Sequence, residues 1–205
     1  MKKIIFSIFL GSMLILPMAC DKALDINVNP LRASSADPNA VLPFVLTQFS
    51  NRNTTELGTR ICDVYQNTSV TFNSPRRGAT TSFLTGNTWN MLYVQVLGNL
   101  KLVEQDARAA GAARNNITAI ALVMKALAFY ELTVIWDDVP FTQALDANAF
   151  PQPDFDSQET VLKGLIPILD DAVSLIDAIP ASGVFTLTGD LIYGGDMSLW
   201  KRYAN

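Results

Sequence analysis

From Ile117 to Trp136 only Lys125 and Glu131 are charged, and this stretch constrains the fold more than any other. A helix with apolar side chains at nearly every angle needs a neighbour at nearly every angle. It either crosses a membrane or forms the centre of a helical assembly. Two charges in mid-segment favour the second arrangement, because an ionised side chain at the middle of a bilayer costs about 3 kcal/mol. The surrounding helices must then offer apolar faces of their own, and the flanking sequence supplies them.

Upstream, Trp89, Tyr93, Val96, Leu100, Val103 and Ala107 recur at alternating steps of four and three, the spacing of one helix face. Gly111 is a natural helix stop. The short link from Gly111 to Arg114 makes the two helices antiparallel neighbours, with Asn115 or Asn116 expected as the cap of the second. Downstream, Asp156-Ser157-Gln158-Glu159 reads as a capping box with Asp156 as the N-cap. The helix it opens carries Val161, Leu162, Leu165, Ile168, Leu169, Ala172, Val173 and Ile176 on one broad face, and Pro180 ends it. Pro167 lies inside and is expected to kink or break it.

The remaining pieces are shorter. A first helix is expected from about Asp37 to Ser50, with Pro38 in its first turn, followed by an apolar segment around Leu57 to Val64. Gln66 to Asn87 is rich in Thr, Ser and Asn, with Pro75, Gly78 and Gly86 as breakers, and reads as a long loop. Residues 181–195 form a second, glycine-rich loop, and Met197 to Asn205 begins a further helix. The fold class is therefore all-α, built from antiparallel helical hairpins with long irregular loops. Trp89-x2-Leu92 echoes the start of a tetratricopeptide repeat, although Tyr93 and Val96 stand where its glycine and tyrosine belong.

Composition removes several functions. The 205 residues contain no histidine, so no Ser-His-Asp or Cys-His catalytic unit and no H-E-x-x-H zinc site is available. Two cysteines are too few for a four-cysteine zinc or iron–sulfur site. With 15 basic and 19 acidic residues and no basic run, nucleic acid is not an expected partner. Asp25-Ile26-Asn27-Val28-Asn29 imitates a calcium loop but places Pro30 at the turn glycine and Ala36 at the bidentate glutamate. No metal or cofactor is expected.

The first residues read as an export address. Lys2 and Lys3 precede the apolar run Ile4 to Leu16, and small Ala19 precedes Cys20. Cysteine at that place suggests a lipoprotein signal over residues 1–19, with Cys20 acylated, although Pro17 stands where such signals favour leucine. Two or three acyl chains hold a protein on a membrane where one is marginal. Removing Met1 to Ala19 takes away two lysines and no acid, leaving 13 bases against 19 acids, or −6. Residues 20–38 read as a tether, and 39–205 as the helical part. Cys62 reads as a small buried residue.

Several segments together resemble a known family. Leu24-Asp25-Ile26-Asn27-Val28-Asn29-Pro30 follows the lipid cysteine, and Trp89-x3-Tyr93 opens a helix with Asn99 further on. Trp136-Asp137-Asp138-Val139-Pro140-Phe141 and Phe155-Asp156-Ser157-Gln158-Glu159 come next. Asp190-Leu191-Ile192-Tyr193-Gly194-Gly195-Asp196-Met197 then leads to Trp200 and Tyr203. In this order they resemble the SusD/RagB nutrient-binding outer-membrane lipoproteins of Bacteroidetes, in the branch called starch-binding associating with outer membrane. That family commonly has Gly-Asp-Val-Pro-Tyr where this chain has Asp137 to Phe141, a difference bearing on turn geometry. Members are typically more than twice this length, so the resemblance implies an N-terminal portion, truncated at the C-terminus.

The resemblance implies a cell-surface protein that binds glycan or other nutrient oligomers and serves a SusC-like TonB-dependent transporter without cleaving its ligand. Sugar recognition uses aromatic faces beside amide, hydroxyl and charged groups. Tyr65, Phe72, Asn73, Arg76, Arg77, Phe83 and Asn87, in and beside the Gln66 to Asn87 loop, are the expected ligand-binding set. Trp89, Trp136 and Trp200 lie on or beside apolar helical patterns and are expected to anchor the core. Two rival readings remain at this point. One is a structural adaptor of the transporter with no ligand. The other is a glycosidase using a carboxylate pair drawn from Asp137 and Asp138, Asp154 and Asp156, or Asp170 and Asp171.

Overall fold

A computed structural model of the chain describes residues 37–55 and 82–205, with the side chains of 51–55 and 82–85 outside the description. The signal, the Cys20 attachment point, the tether, Cys62 and the apolar segment at 57–64 lie outside the described residues. The helices are α1 (Pro38–Thr55), α2 (Ser82–Asn90), α3 (Gly98–Ala109), α4 (Asn115–Trp136), α5 (Gln158–Asp177) and α6 (Met197–Ala204). A π-helical segment, Met91–Leu97, joins α2 to α3 without a break, and a 3-10 turn, Ala112–Arg114, joins α3 to α4. Among the described residues there is no β-strand, only one antiparallel bridge between Val139 and Asp156. The all-α expectation holds. All described residues belong to one unit, Ser35–Asn205.

α4 is the central helix that its composition demanded. It is long and apolar enough to cross a membrane, yet it is largely covered by protein. Ile117, Ile120, Met124, Ala128, Phe129 and Leu132 are all essentially inaccessible. α4 packs most extensively on α5, then on α3, with the π segment and α6 completing its surroundings. Its Lys125 is accommodated at the edge. Lys125 pairs with Glu104 at 3.1 Å, and Glu104 also holds Arg108, which reaches Asp171 of α5 at 2.5 Å. One network thus ties α3, α4 and α5.

The alternating four-three stripe of the preceding segment is buried as expected at Val96, Leu100, Val103 and Ala107. Met91, Leu92 and Leu97 are buried as well. Their spacing follows the wider π turn, marked by the Gly98 N–H bonding back to the Tyr93 carbonyl. The added residue per turn rotates a second apolar edge toward α1, which packs on this segment. Gly111, just past α3, takes φ +79° and ψ −162°, a conformation that glycine reaches without a Cβ clash.

Three local expectations are corrected. Asn115 and Asn116 are not conventional caps; their amides donate to the carbonyls of Ala178 and Phe185 at 3.1 and 3.0 Å, stapling the chain beyond α5 to the start of α4. The N-cap of α5 is Ser157, accepting from the Thr160 N–H, because Asp156 is spent on the loop described below. Of the kink or break expected at Pro167, the break is absent, since α5 runs unbroken from Gln158 to Asp177. Its ring and Lys163, whose carbonyl loses its usual partner, both lie on the exposed side, where water can serve that carbonyl.

Asp190 organises the approach to α6. It is buried, and its carboxylate accepts from the N–H groups of Ile192, Tyr193 and Gly195 and from Trp200 Nε1 at 2.7 Å. Gly194 and Gly195 adopt φ +61° and +87°, which closes the turn around the carboxylate. Asp196 then caps α6, accepting from Ser198 and Leu199. Asn39 of α1 fixes the preceding segment, accepting from Thr188 and Gly189 and donating to the Thr186 carbonyl.

Candidate ligand-binding face

The loop from Asp137 to Asp156 is held at both ends. Val139 and Asp156 exchange two backbone hydrogen bonds at 3.0 Å. The Asp156 carboxylate accepts from the N–H groups of Phe141 and Thr142 and from the Thr142 hydroxyl. Tyr93 donates its phenol to the Pro140 carbonyl at 2.7 Å, and burial, helped by the Asp156 charge, pushes that phenol well above its ordinary pKa. Phe141 meets Phe129 edge-on and lies so close to Gly164 that a Cβ there would be 2.3 Å from the ring. Gln143 and Asp154 exchange a further pair of hydrogen bonds.

This bracing holds an aromatic cluster where α2 passes the end of α4. Trp89 lies 4.7 Å from Tyr93, 5.2 Å from Trp136 with the planes perpendicular, and 6.2 Å from Phe155 with the planes 24° apart. Trp89 and Trp136 are half-buried at the rim of the core, whereas Phe155 is 64% exposed. Asn90, Asp137 and Asp138 are near them in the chain, Asn90 and Asp138 exposed and Asp137 at the surface. Asp137 adopts φ +69°, a conformation that glycine takes readily and most residues avoid.

Of the expected ligand set, Tyr65, Phe72, Asn73, Arg76 and Arg77 lie outside the described residues. Phe83 falls on α2, with its side chain outside the description. Asn87 is half-buried on α2, two residues before Trp89. The loop expected to run to Asn87 is helical from Ser82. Gly86 does not stop it, since one helical glycine costs only about 1 kcal/mol, less than the burial of the adjoining Trp89 and Met91 returns. Trp200 is a buried anchor as expected; Trp89 and Trp136 line the core with one edge reaching the surface. Phe155 was not expected at a ligand surface, and Asp137 was named only as a possible carboxylate of the glycosidase reading and as the aspartate standing where the resembling family has glycine.

The acidic pairs are spread among separate tasks. Asp171 pairs with Arg108, Asp154 with Gln143, and Asp156 with the loop amides. Among the described residues no three acidic or thiol groups converge as a metal site. A separate groove of about 460 Å³ opens between α1, α4 and the Asp190 turn. Phe49, Met124, Leu191, Ile192, Tyr193 and Tyr203 form most of its wall.

Residues 30–205 match the SusD-like family described as starch-binding associating with outer membrane. The chain belongs to that family. Its fold is similar to that of a chitin-binding protein, with 23% identity and a TM-score of 0.65 over 82% of this chain and 36% of the other. A SusD/RagB family protein from Bacteroides thetaiotaomicron is also similar, with 19% identity and a TM-score of 0.50 over 83% of this chain and 32% of the other. No curated protein sequence matches the chain. The chain spans about a third of the length of these two solved structures. The family's description joins starch binding with association with the outer membrane.

Proposed function

We propose that this protein is a lipid-anchored outer-membrane receptor that binds glycan or other nutrient oligomers and delivers them to a SusC-like TonB-dependent transporter. The match to the family over residues 30–205 carries this reading. An exposed aromatic ring on a braced loop supports it, since pyranose rings present C–H faces that stack on such surfaces. Residues 1–19 act as the export signal, Cys20 carries the lipid, 20–38 tether, and 39–205 bind. Tyr65, Phe72, Asn73, Arg76, Arg77, Phe83 and Asn87 belong to the ligand surface in this reading. The protein holds its ligand without cleaving it.

Affinity electrophoresis against a polysaccharide panel tests the reading, with chitin oligomers added because of the chitin-binding protein of similar fold. Retardation by at least one glycan, without release of reducing ends, is the expected result. Cleavage would replace it with the carboxylate-pair glycosidase, and no retardation by any glycan would favour a ligand-free adaptor. Mass spectrometry of the membrane-extracted protein should find acylated Cys20 at the N-terminus.

A further inference from the structure

Phe155 is an unusual residue to leave two-thirds in water. It is 64% exposed on a loop fixed immediately beside it by the Val139–Asp156 bridge, so its position is rigid rather than adaptable. Its ring runs nearly parallel to Trp89, and Trp89 abuts Trp136. The chain around this face is strongly acidic: residues 137–157 contain five aspartates and neither lysine nor arginine. Asp137 and Asp138 follow Trp136 directly and reach solvent, and neither carboxylate has a hydrogen bond or ion pair among the described residues. Among the described residues, Lys101 is committed to the Leu145 carbonyl and Lys163 to Glu159.

Two features therefore favour the same charge. Aromatic faces attract cations through the ring quadrupole, and unpaired carboxylates attract them by Coulomb's law. Both work against uronates and sulfated sugars. We propose that the face formed by Phe155, Trp89 and Trp136, with Asp137 and Asp138 at its edge, is a subsite for amino-sugar units carrying a free, protonated amine. The pyranose C–H face stacks on Phe155 while the ammonium group reaches the carboxylates. This rests on the glycan-binding reading and sharpens it to one class of sugar at one place.

The test is calorimetric titration of the full chain in detergent micelles, at a mildly acidic pH that keeps the sugar amines protonated. The probes are β-1,4-linked glucosamine hexamer, its N-acetylated counterpart and an oligogalacturonate. The glucosamine hexamer should bind about tenfold more tightly than the N-acetylated one, the gain of a cation held at aromatic and carboxylate groups. The oligogalacturonate should not bind at this face. Phe155→Ala, a surface change, should weaken both hexamers about five- to tenfold. Asp137→Asn with Asp138→Asn should abolish the advantage of the amine and leave the N-acetylated hexamer unchanged. Asp106→Asn, on α3, controls for general attraction to an acidic protein and should alter neither. Full binding by Phe155→Ala, an amine advantage that survives the double variant, or equal loss in the Asp106→Asn control overturns the subsite. If a glycan of the wider panel still binds in that case, the receptor reading stands without it; if none binds, the receptor reading itself fails.

Discussion

Single residues set the geometry of this chain through bonds that a change of one atom would break. Asp190 uses both carboxylate oxygens, one for the N–H groups of Ile192 and Tyr193 and the other for Gly195 and Trp200. Asp190→Asn keeps the size but turns one acceptor into a donor facing two donors. Hydrogen bonds to a charged group are worth about 1.5–3 kcal/mol, so denaturant unfolding should show a loss of about 2 kcal/mol or more. Asp137 is the opposite case, a residue held at φ +69°. Asp137→Gly should raise stability by about 1 kcal/mol, measured by the same unfolding, while weakening any amine preference at the Phe155 face. Tyr93 gives a pH signature. Its folded pKa lies above the unfolded value of 10.0, so the unfolded chain loses the proton first. Its contribution is complete below pH 10 and falls as pH rises beyond it. Tyr93→Phe should flatten part of that alkaline loss, at a cost of about 1 kcal/mol near neutrality from the lost bond to Pro140.

Helices were legible where a periodic apolar face decided them. The stripe from Trp89 to Ala107, the all-round apolar α4 and the broad face of α5 each follow from burial alone. The π segment was not legible, since a five-residue backbone step leaves no distinct mark among apolar residues that a four-three pattern also accepts. Polar residues misled for a related reason. Asn115, Asn116 and Asp156 all suit a helix start, but each is engaged by a segment well removed along the chain, and such partners leave no local pattern. Phe155 shows the same limit at the candidate site, as a lone aromatic between two aspartates carries no periodicity. Pro167 marks where a propensity rule met its exception: on the solvent side of α5 the helix tolerates it. Pro167→Ala restores the missing hydrogen bond, offset by a freer unfolded chain, and should stabilise the protein by about 2 kcal/mol in thermal or urea unfolding. A smaller gain would indicate that the surrounding turn already holds a bend suited to proline.

At the scale of the whole molecule, apolar surface is distributed unevenly. α4 is covered by α3, α5 and α6, yet the groove between α1, α4 and the Asp190 turn remains open, with Leu191 and Ile192 at 63% and 49% exposure. Contiguous apolar patches of this kind are uncommon on monomeric soluble proteins and mark surfaces that contact something. The groove is mostly apolar in its wall, whereas the Phe155 face mixes rings with carboxylates, so the two should respond to different probes. An environment-sensitive apolar dye should bind the groove and fluoresce. Leu191→Ser with Ile192→Ser should reduce that signal several-fold, because both side chains line the groove and neither is part of the buried core. The N–H of residue 192 still serves Asp190, so unfolding should be nearly unchanged. Phe155→Ala should leave the dye signal intact. A dye signal that follows Phe155 instead would merge the two surfaces into one and remove the distinction between an apolar contact groove and a sugar-stacking face.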